Sequence, residues 1–84
     1  MNKKVAIYTT PTCTYCRQIK EFFKANQVNY DEYDVLTDLA RRQEMVDKSG
    51  QLGVPVITVS HPDGSNEELV VGYDRNRLAE LLGV

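Results

Sequence analysis

Cys13 and Cys16 are the only two cysteines in this 84-residue chain, and Thr14 and Tyr15 separate them. The pair follows a short apolar run, Val5, Ala6, Ile7 and Tyr8, and opens a helix-like stretch over residues 17–26. A C-x-x-C pair between a strand and a helix is the layout of a thiol–disulfide redox site. The nucleophile in such exchange is the thiolate, and a free cysteine, with a pKa near ~8.5, is mostly protonated at neutral pH. The first turn of a helix carries unpaired N–H groups and the positive end of the helix dipole. A cysteine placed there, as Cys13 is expected to be, has its pKa depressed, and Arg17 one turn on adds to this. Lys20 sits too far along to matter much. Cys16 should lie one turn deeper, less exposed and less ionised. The i, i+3 spacing brings both sulfurs to one face, within reach of a disulfide. The expectation is that Cys13 attacks a substrate disulfide and Cys16 releases the product from the mixed disulfide.

Two other uses of the pair compete. A structural disulfide closing so small a loop stabilises little. Zinc needs four ligands, and the chain adds only His61, in a distant turn cluster, to its two cysteines. A site shared across a dimer, holding zinc or an iron–sulfur cluster with thiolates from each chain, stays open at this stage.

The elements that must position the pair can be read next. Lys4–Thr9 reads as a buried strand. A helix begins near Cys13 with Thr12 as N-cap, and Cys16, Ile19, Phe22 and Phe23 form its apolar face. Asn26 is the expected left-handed residue at its end. Residues 28–34 alternate weakly and read as a strand. Thr37 should cap a second helix with Leu39, Val46 and Met45 inward, and Gly50 should stop it. Residues 54–59 are the clearest strand, and the turn cluster of residues 61–66 joins it to Glu68–Val71 as a hairpin. Asp74 caps a last helix with Leu78, Leu81 and Leu82 on one side. The order is βαβαββα. The opening βαβ unit requires two parallel strands, and the closing hairpin adds an antiparallel pair. The fold class is therefore α/β, a four-stranded mixed sheet with helices on both faces.

Composition narrows the function. Residues 1–84 suit one folded domain. Net charge is −2, and no basic cluster extends beyond Lys3-Lys4 and Arg41-Arg42, so there is no footprint of a nucleic-acid binder. No run approaches the ~20 apolar residues that span a bilayer. Met1-Asn2-Lys3-Lys4 precedes only a few apolar residues, short of the ~7–15 of a secretory leader. The expectation is a cytoplasmic monomer, in a compartment where a C-x-x-C pair is catalytic or metal-binding more often than a staple. His61 reads as an exposed loop histidine, and Arg41-Arg42 as solvent-facing, on a helix that could meet a partner protein. Met45 reads as core filling.

Three blocks in this order and spacing resemble the glutaredoxins, small members of the thioredoxin superfamily: Ile7-Tyr8-Thr9-Thr10-Pro11-Thr12-Cys13-Thr14-Tyr15-Cys16, Gly53-Val54-Pro55-Val56-Ile57 and Val71-Gly72-Tyr73-Asp74. The resemblance covers nearly the whole chain and implies a thioredoxin-like fold, with Cys13 the attacking and Cys16 the resolving thiol. It implies a cis Val54–Pro55 bond facing the disulfide, which leaves the Val54 backbone free to pair with glutathione or an extended peptide, as in strand addition. It also assigns Asp74 to the glutathione α-amino group, beside its role as an ordinary N-cap. Tyr15 and Tyr73 flank the groove, Gly72 lets the backbone come close, and Gln51 contacts glutathione. The cysteines carry the electrons, so no bound metal or organic cofactor is implied. Glutathione is the implied reductant and protein disulfides or glutathione mixed disulfides the substrates.

The departures bear on glutathione. Thr14 stands where the familiar Cys-Pro-Tyr-Cys has proline. Thr10 offers no charge where many members carry lysine, Val71 brings bulk where the pattern has glycine, and Gln51 donates only neutral hydrogen bonds. Each weakens glutathione recognition without touching the thiols. A competing reading follows. Some glutaredoxin-like electron donors to ribonucleotide reductase are reduced by a thioredoxin-reductase-type flavoprotein, and they share a Gly-aromatic pair like Gly72-Tyr73.

Overall fold

The computed structural model describes residues 3–84; Met1 and Asn2, part of the stretch read above for a leader, lie outside the described residues. The elements are β1 (Lys4–Thr9), α1 (Thr14–Ala25), β2 (Asp31–Asp34), α2 (Leu39–Ser49), β3 (Val56–Ser60), β4 (Glu68–Val71) and α3 (Arg75–Leu82). The sheet order is β2-β1-β3-β4. β1 runs parallel to β2 and antiparallel to β3, and β3 pairs antiparallel with β4. This is the mixed four-stranded sheet of the thioredoxin-like fold expected above.

The central strands read as unbroken apolar runs because both of their faces are covered. Side chains alternate between faces along a strand. Val5 and Ile7 of β1, Ile57 and Val59 of β3 and Val70 of β4 therefore join one cluster with Ile19, Phe22 and Phe23 of α1 and Leu78 and Leu82 of α3. Tyr8 and Val56 point the other way and meet Val35 and Met45 under α2. A polar contact fastens α2 to β1. The buried Tyr8 hydroxyl donates to Glu44, which also accepts from Arg41 Nη1 at 3.1 Å, and the Arg41 guanidinium lies over the Tyr33 ring at 4.0 Å. Burial, then the Glu44 carboxylate, push the Tyr8 hydroxyl above the ordinary tyrosine value. The hydrogen bond from Tyr8, followed by Arg41, holds the Glu44 carboxyl below its usual range.

Several boundaries differ from the sequence expectation. Cys13, not Thr12, is the N-cap of α1. The left-handed residue after α1 is Gln27 (φ 57), while Asn26 has φ −105 and donates its side-chain amide to the Phe22 carbonyl at 2.9 Å. β2 starts at Asp31, since Val28 and Tyr30 pack against the larger cluster before the strand begins. Asp38 rather than Thr37 caps α2, accepting from the Arg41 N–H at 3.1 Å. β3 starts at Val56, because Pro55 has no N–H for the ladder and follows a cis bond. Leu39 is not inward but 68% exposed. At 100° per residue it sits about 120° round the helix from the buried Met45.

The two helix positions make a stability test. Ile19→Ala, at a fully buried site, should cost about 2–5 kcal/mol in a urea melt. Leu39→Ala should stay within about 0.5 kcal/mol. A large loss at Leu39 would contradict the orientation of α2.

Candidate active site

The β1-to-α1 junction sets the site. Thr10 to Thr12 turn the chain, and the Cys13 N–H donates back to the Thr10 carbonyl at 3.3 Å. Cys13 then takes the N-cap position with φ −81 and ψ 110, and its Sγ accepts from the Cys16 N–H at 3.1 Å. The sulfur thus fills the acceptor role that a serine or aspartate oxygen usually fills at a helix start. No acidic residue stands in the first turn to offset the dipole there. Cys13 and Cys16 are joined in a disulfide, with Cα atoms 5.2 Å apart. Cys16 is buried in the larger cluster at 1% exposure, while Cys13 is half-buried at its edge. Arg17 is exposed one turn on. Lys20 is tied to Glu32 of β2 at 2.7 Å, which directs its charge away from the sulfurs.

The second wall comes from the loop before β3. Val54–Pro55 is cis. Val54 is half-buried, touches both clusters, and makes no backbone hydrogen bond among the described residues. The Gly72 N–H donates to the Pro55 carbonyl at 3.0 Å and so ties the end of β4 to this loop. Gly72 has φ +78, and a Cβ built on it meets nothing within 4 Å. Backbone conformation, not crowding, is what calls for glycine there. Val71 is half exposed rather than wedged into the site.

Tyr73 packs against the cluster that holds both cysteines. Asp74 caps α3, its Oδ1 accepting from the Arg77 N–H at 3.0 Å. Tyr15 is 60% exposed beside Cys16 in the chain. Gln51 is exposed in the α2–β3 loop. It is Leu52, not Gln51, that lines the hollow beside Val54, together with Thr10 and Gly53. The structure thus draws Cys13, Cys16, Val54 and Tyr73 onto one cluster and links Gly72 to Pro55, while it gives Gln51 no place in that hollow.

His61 follows the end of β3 that pairs with the start of β1, at the opposite end of the sheet from Cys13. Among the described residues no three His, Cys, Asp or Glu side chains gather as a metal cluster. No helix among them is long and apolar enough to cross a membrane.

The glutaredoxin family model matches residues 5–61, which hold the cysteine pair, both of its flanking elements and the cis-proline loop. This chain belongs to the glutaredoxin family. Within it, the chain is 35% identical over 78 residues to an uncharacterized glutaredoxin-like 8.6 kDa protein of the rubredoxin operon of Clostridium pasteurianum, covering 93% of this chain and 96% of that one. It is 36% identical over 55 residues, 66% of either chain, to glutaredoxin 3 of Escherichia coli. Among solved structures, the thioredoxin-like protein BC3987 superposes with a TM-score of 0.79 at 35% identity, covering 93% of this chain and 99% of that one. The Archaeoglobus fulgidus glutaredoxin gives 0.76 at 25% identity, over 94% and 85%.

Sequence reading missed the leucines near this glutaredoxin site: Leu36, Leu39 and Leu52 are 64%, 68% and 74% exposed. The signal was present in Leu39, which is out of phase with Met45. Asp74 supplies a test of the local geometry. Asp74→Ala should lower stability by about 1 kcal/mol and Asp74→Asn should restore it. Equal losses in both variants, read by thermal melts, would contradict the capping role.

Proposed function

We propose that this protein is a dithiol–disulfide oxidoreductase that reduces protein disulfides or glutathione mixed disulfides. The observation that carries the reading is the asymmetry of the pair: a half-exposed Cys13 with its sulfur at the helix N-terminus, and a buried Cys16 one turn below. The Cys13 thiolate attacks one sulfur of the substrate disulfide. A Cys13–substrate disulfide forms and the first substrate thiolate leaves, taking up a proton. Cys16 then loses its proton and attacks Cys13 Sγ. The Cys13–Cys16 disulfide forms and the second substrate thiolate leaves. Two electrons have passed from the dithiol to the substrate, and the cysteines alone carry them.

An external thiol donor must return those electrons. Glutathione is the donor the family suggests. The Val54 backbone is free to pair with its extended chain, Tyr15 and Tyr73 border the site, and Asp74 has a second carboxylate oxygen beyond the one that caps α3. A thioredoxin-reductase-type flavoprotein is the second reading, favoured by the mostly apolar lining of the hollow beside Val54, in which Arg42 is the one charged residue.

Trapping tests the thiol roles. Cys16→Ser should accumulate a mixed disulfide with substrate, visible as a mass increase reversed by dithiothreitol, and Cys13→Ser should fall to background. Turnover surviving in Cys13→Ser but not in Cys16→Ser would reverse the assignment. Asp74→Asn, which keeps the cap, should raise the KM for glutathione about three- to tenfold if glutathione is the donor. With a flavoprotein as donor, glutathione turnover should be slow in wild type already.

A further inference from the structure

On the α2 face of the sheet, the strands change character toward the end away from the cysteines. Tyr8 and Val56 pack under α2, but the next side chains along that face are Ala6 and Lys4 of β1 and Thr58 and Ser60 of β3. Ala6 stands opposite Thr58, and Lys4 opposite Ser60, in the antiparallel register. These four residues floor a hollow of about 270 Å³. Its walls are Glu44 and Lys48 of α2 and Gly64 and Glu67 of the β3–β4 connection. The Lys48–Glu67 ion pair, at 3.1 Å, joins the two walls.

Thr58 and Ser60 set this hollow apart from ordinary wet surface. They are only 5% and 4% exposed, and neither side chain makes a hydrogen bond among the described residues. No side-chain oxygen sealed from solvent lacks a partner among those residues, so both hydroxyls open onto the hollow they line. Buried hydroxyls are ordinarily hydrogen-bonded, and one left without a partner costs free energy.

The charges narrow what that partner is. Lys4, Arg41 and Lys48 line the hollow against Glu44 and Glu67, an excess of one positive charge. Arg41 and Lys48 are committed to the two carboxylates. Lys4 has no ion-pair partner among the described residues. One ammonium and two hydroxyls, all hydrogen-bond donors, therefore share the floor. At the rim, Glu67 accepts from Lys48 through Oε2, which leaves its Oε1 to accept from a ligand.

We propose that this hollow binds a small hydroxy-carboxylate, of about six to nine non-hydrogen atoms by the volume available. Its carboxylate meets Lys4 and accepts from the Thr58 and Ser60 hydroxyls, and its own hydroxyl donates to Glu67. A single negative charge matches the excess of the lining, whereas a phosphate dianion brings a second charge toward Glu44 and Glu67. Both cysteines belong to the cluster on the other face of the sheet, so the site stands apart from the dithiol reading.

The test follows the amide chemical shifts of isotope-labelled, oxidised protein at neutral pH and constant ionic strength. The probes are D-glycerate, propionate, which lacks the hydroxyls, and inorganic phosphate. D-glycerate should give saturable shifts centred on Lys4, Ala6, Thr58, Ser60 and Gly64, and bind at least about threefold more tightly than either other probe. Lys4→Gln, at an exposed position, and Thr58→Val, which keeps the side chain's shape, should each weaken it about tenfold. Lys3→Gln, outside the hollow, should leave it within about twofold. The absence of saturable shifts, or shifts that Lys4→Gln and Thr58→Val leave unchanged, would overturn the site. Propionate or phosphate binding as tightly as D-glycerate would overturn the ligand class. Shifts centred on Cys13, Val54 and Tyr73 would overturn the proposal by placing the anion beside the disulfide.

Discussion

The hydrogen bond from the Cys16 N–H to Cys13 Sγ is the interaction around which this molecule is arranged. It makes a sulfur the cap of α1, so the helix start and the reactive atom are one feature. The N–H groups of the first turn need an acceptor, and an anionic sulfur is a better one than a neutral thiol. Folding of the helix and ionisation of the thiol therefore favour one another. The same turn buries Cys16 among Ile19, Phe23 and Leu78, where a free thiol behaves as a small apolar side chain and waits for the mixed disulfide to come to it.

Everything else holds that junction against a second wall. β1 delivers the chain to Thr10 between two covered faces of the sheet. The antiparallel β3 brings Pro55 alongside, because Val56 pairs with Tyr8 in register. Gly72 then ties the end of β4 to Pro55. The Tyr8, Glu44 and Arg41 contact fixes α2 on the opposite face, which leaves Met45 inward and turns the first turn of that helix outward. The exposed leucines follow from that placement. They border the site on the side where the chain offers no lysine, so the surface there is shaped for apolar contact more than for a carboxylate alone.

The sequence made the element order, the mixed sheet and the cysteine pair legible. The short unbroken apolar run between Lys4 and Pro11 reads as a strand covered on both faces, and the turn cluster around Gly64, set between two short strand-like runs, reads as a hairpin turn. The glycine at position 50 marked the end of α2 for a local backbone reason, a left-handed residue after the helix. What stayed hidden depends on competition between neighbours. Thr12 and Cys13 both stand at the helix start, and the choice between them turned on which atom the Cys16 N–H could reach. Thr37 and Asp38 competed likewise, and Leu39 faces solvent because it lies about 120° round α2 from the buried Met45. The cis bond before Pro55 came from family resemblance, not from local propensity, since such bonds are only about 5–6% of X–Pro bonds in folded proteins. The hollow beside Val54 was illegible because its residues come from β1's end, the β2–α2 turn, α2 and the β3 approach, and only the fold brings them together.

The central claim is that the helix start activates Cys13 and not Cys16. The most direct measurement is the rate of iodoacetamide alkylation of the fully reduced protein as a function of pH, with the modified cysteine located by peptide mass. The account predicts that Cys13 reacts first and that its rate rises with a midpoint well below the ~8.5 of an unperturbed thiol, while Cys16 stays almost unmodified. A midpoint near that free-thiol value, or Cys16 reacting as fast as Cys13, would contradict it.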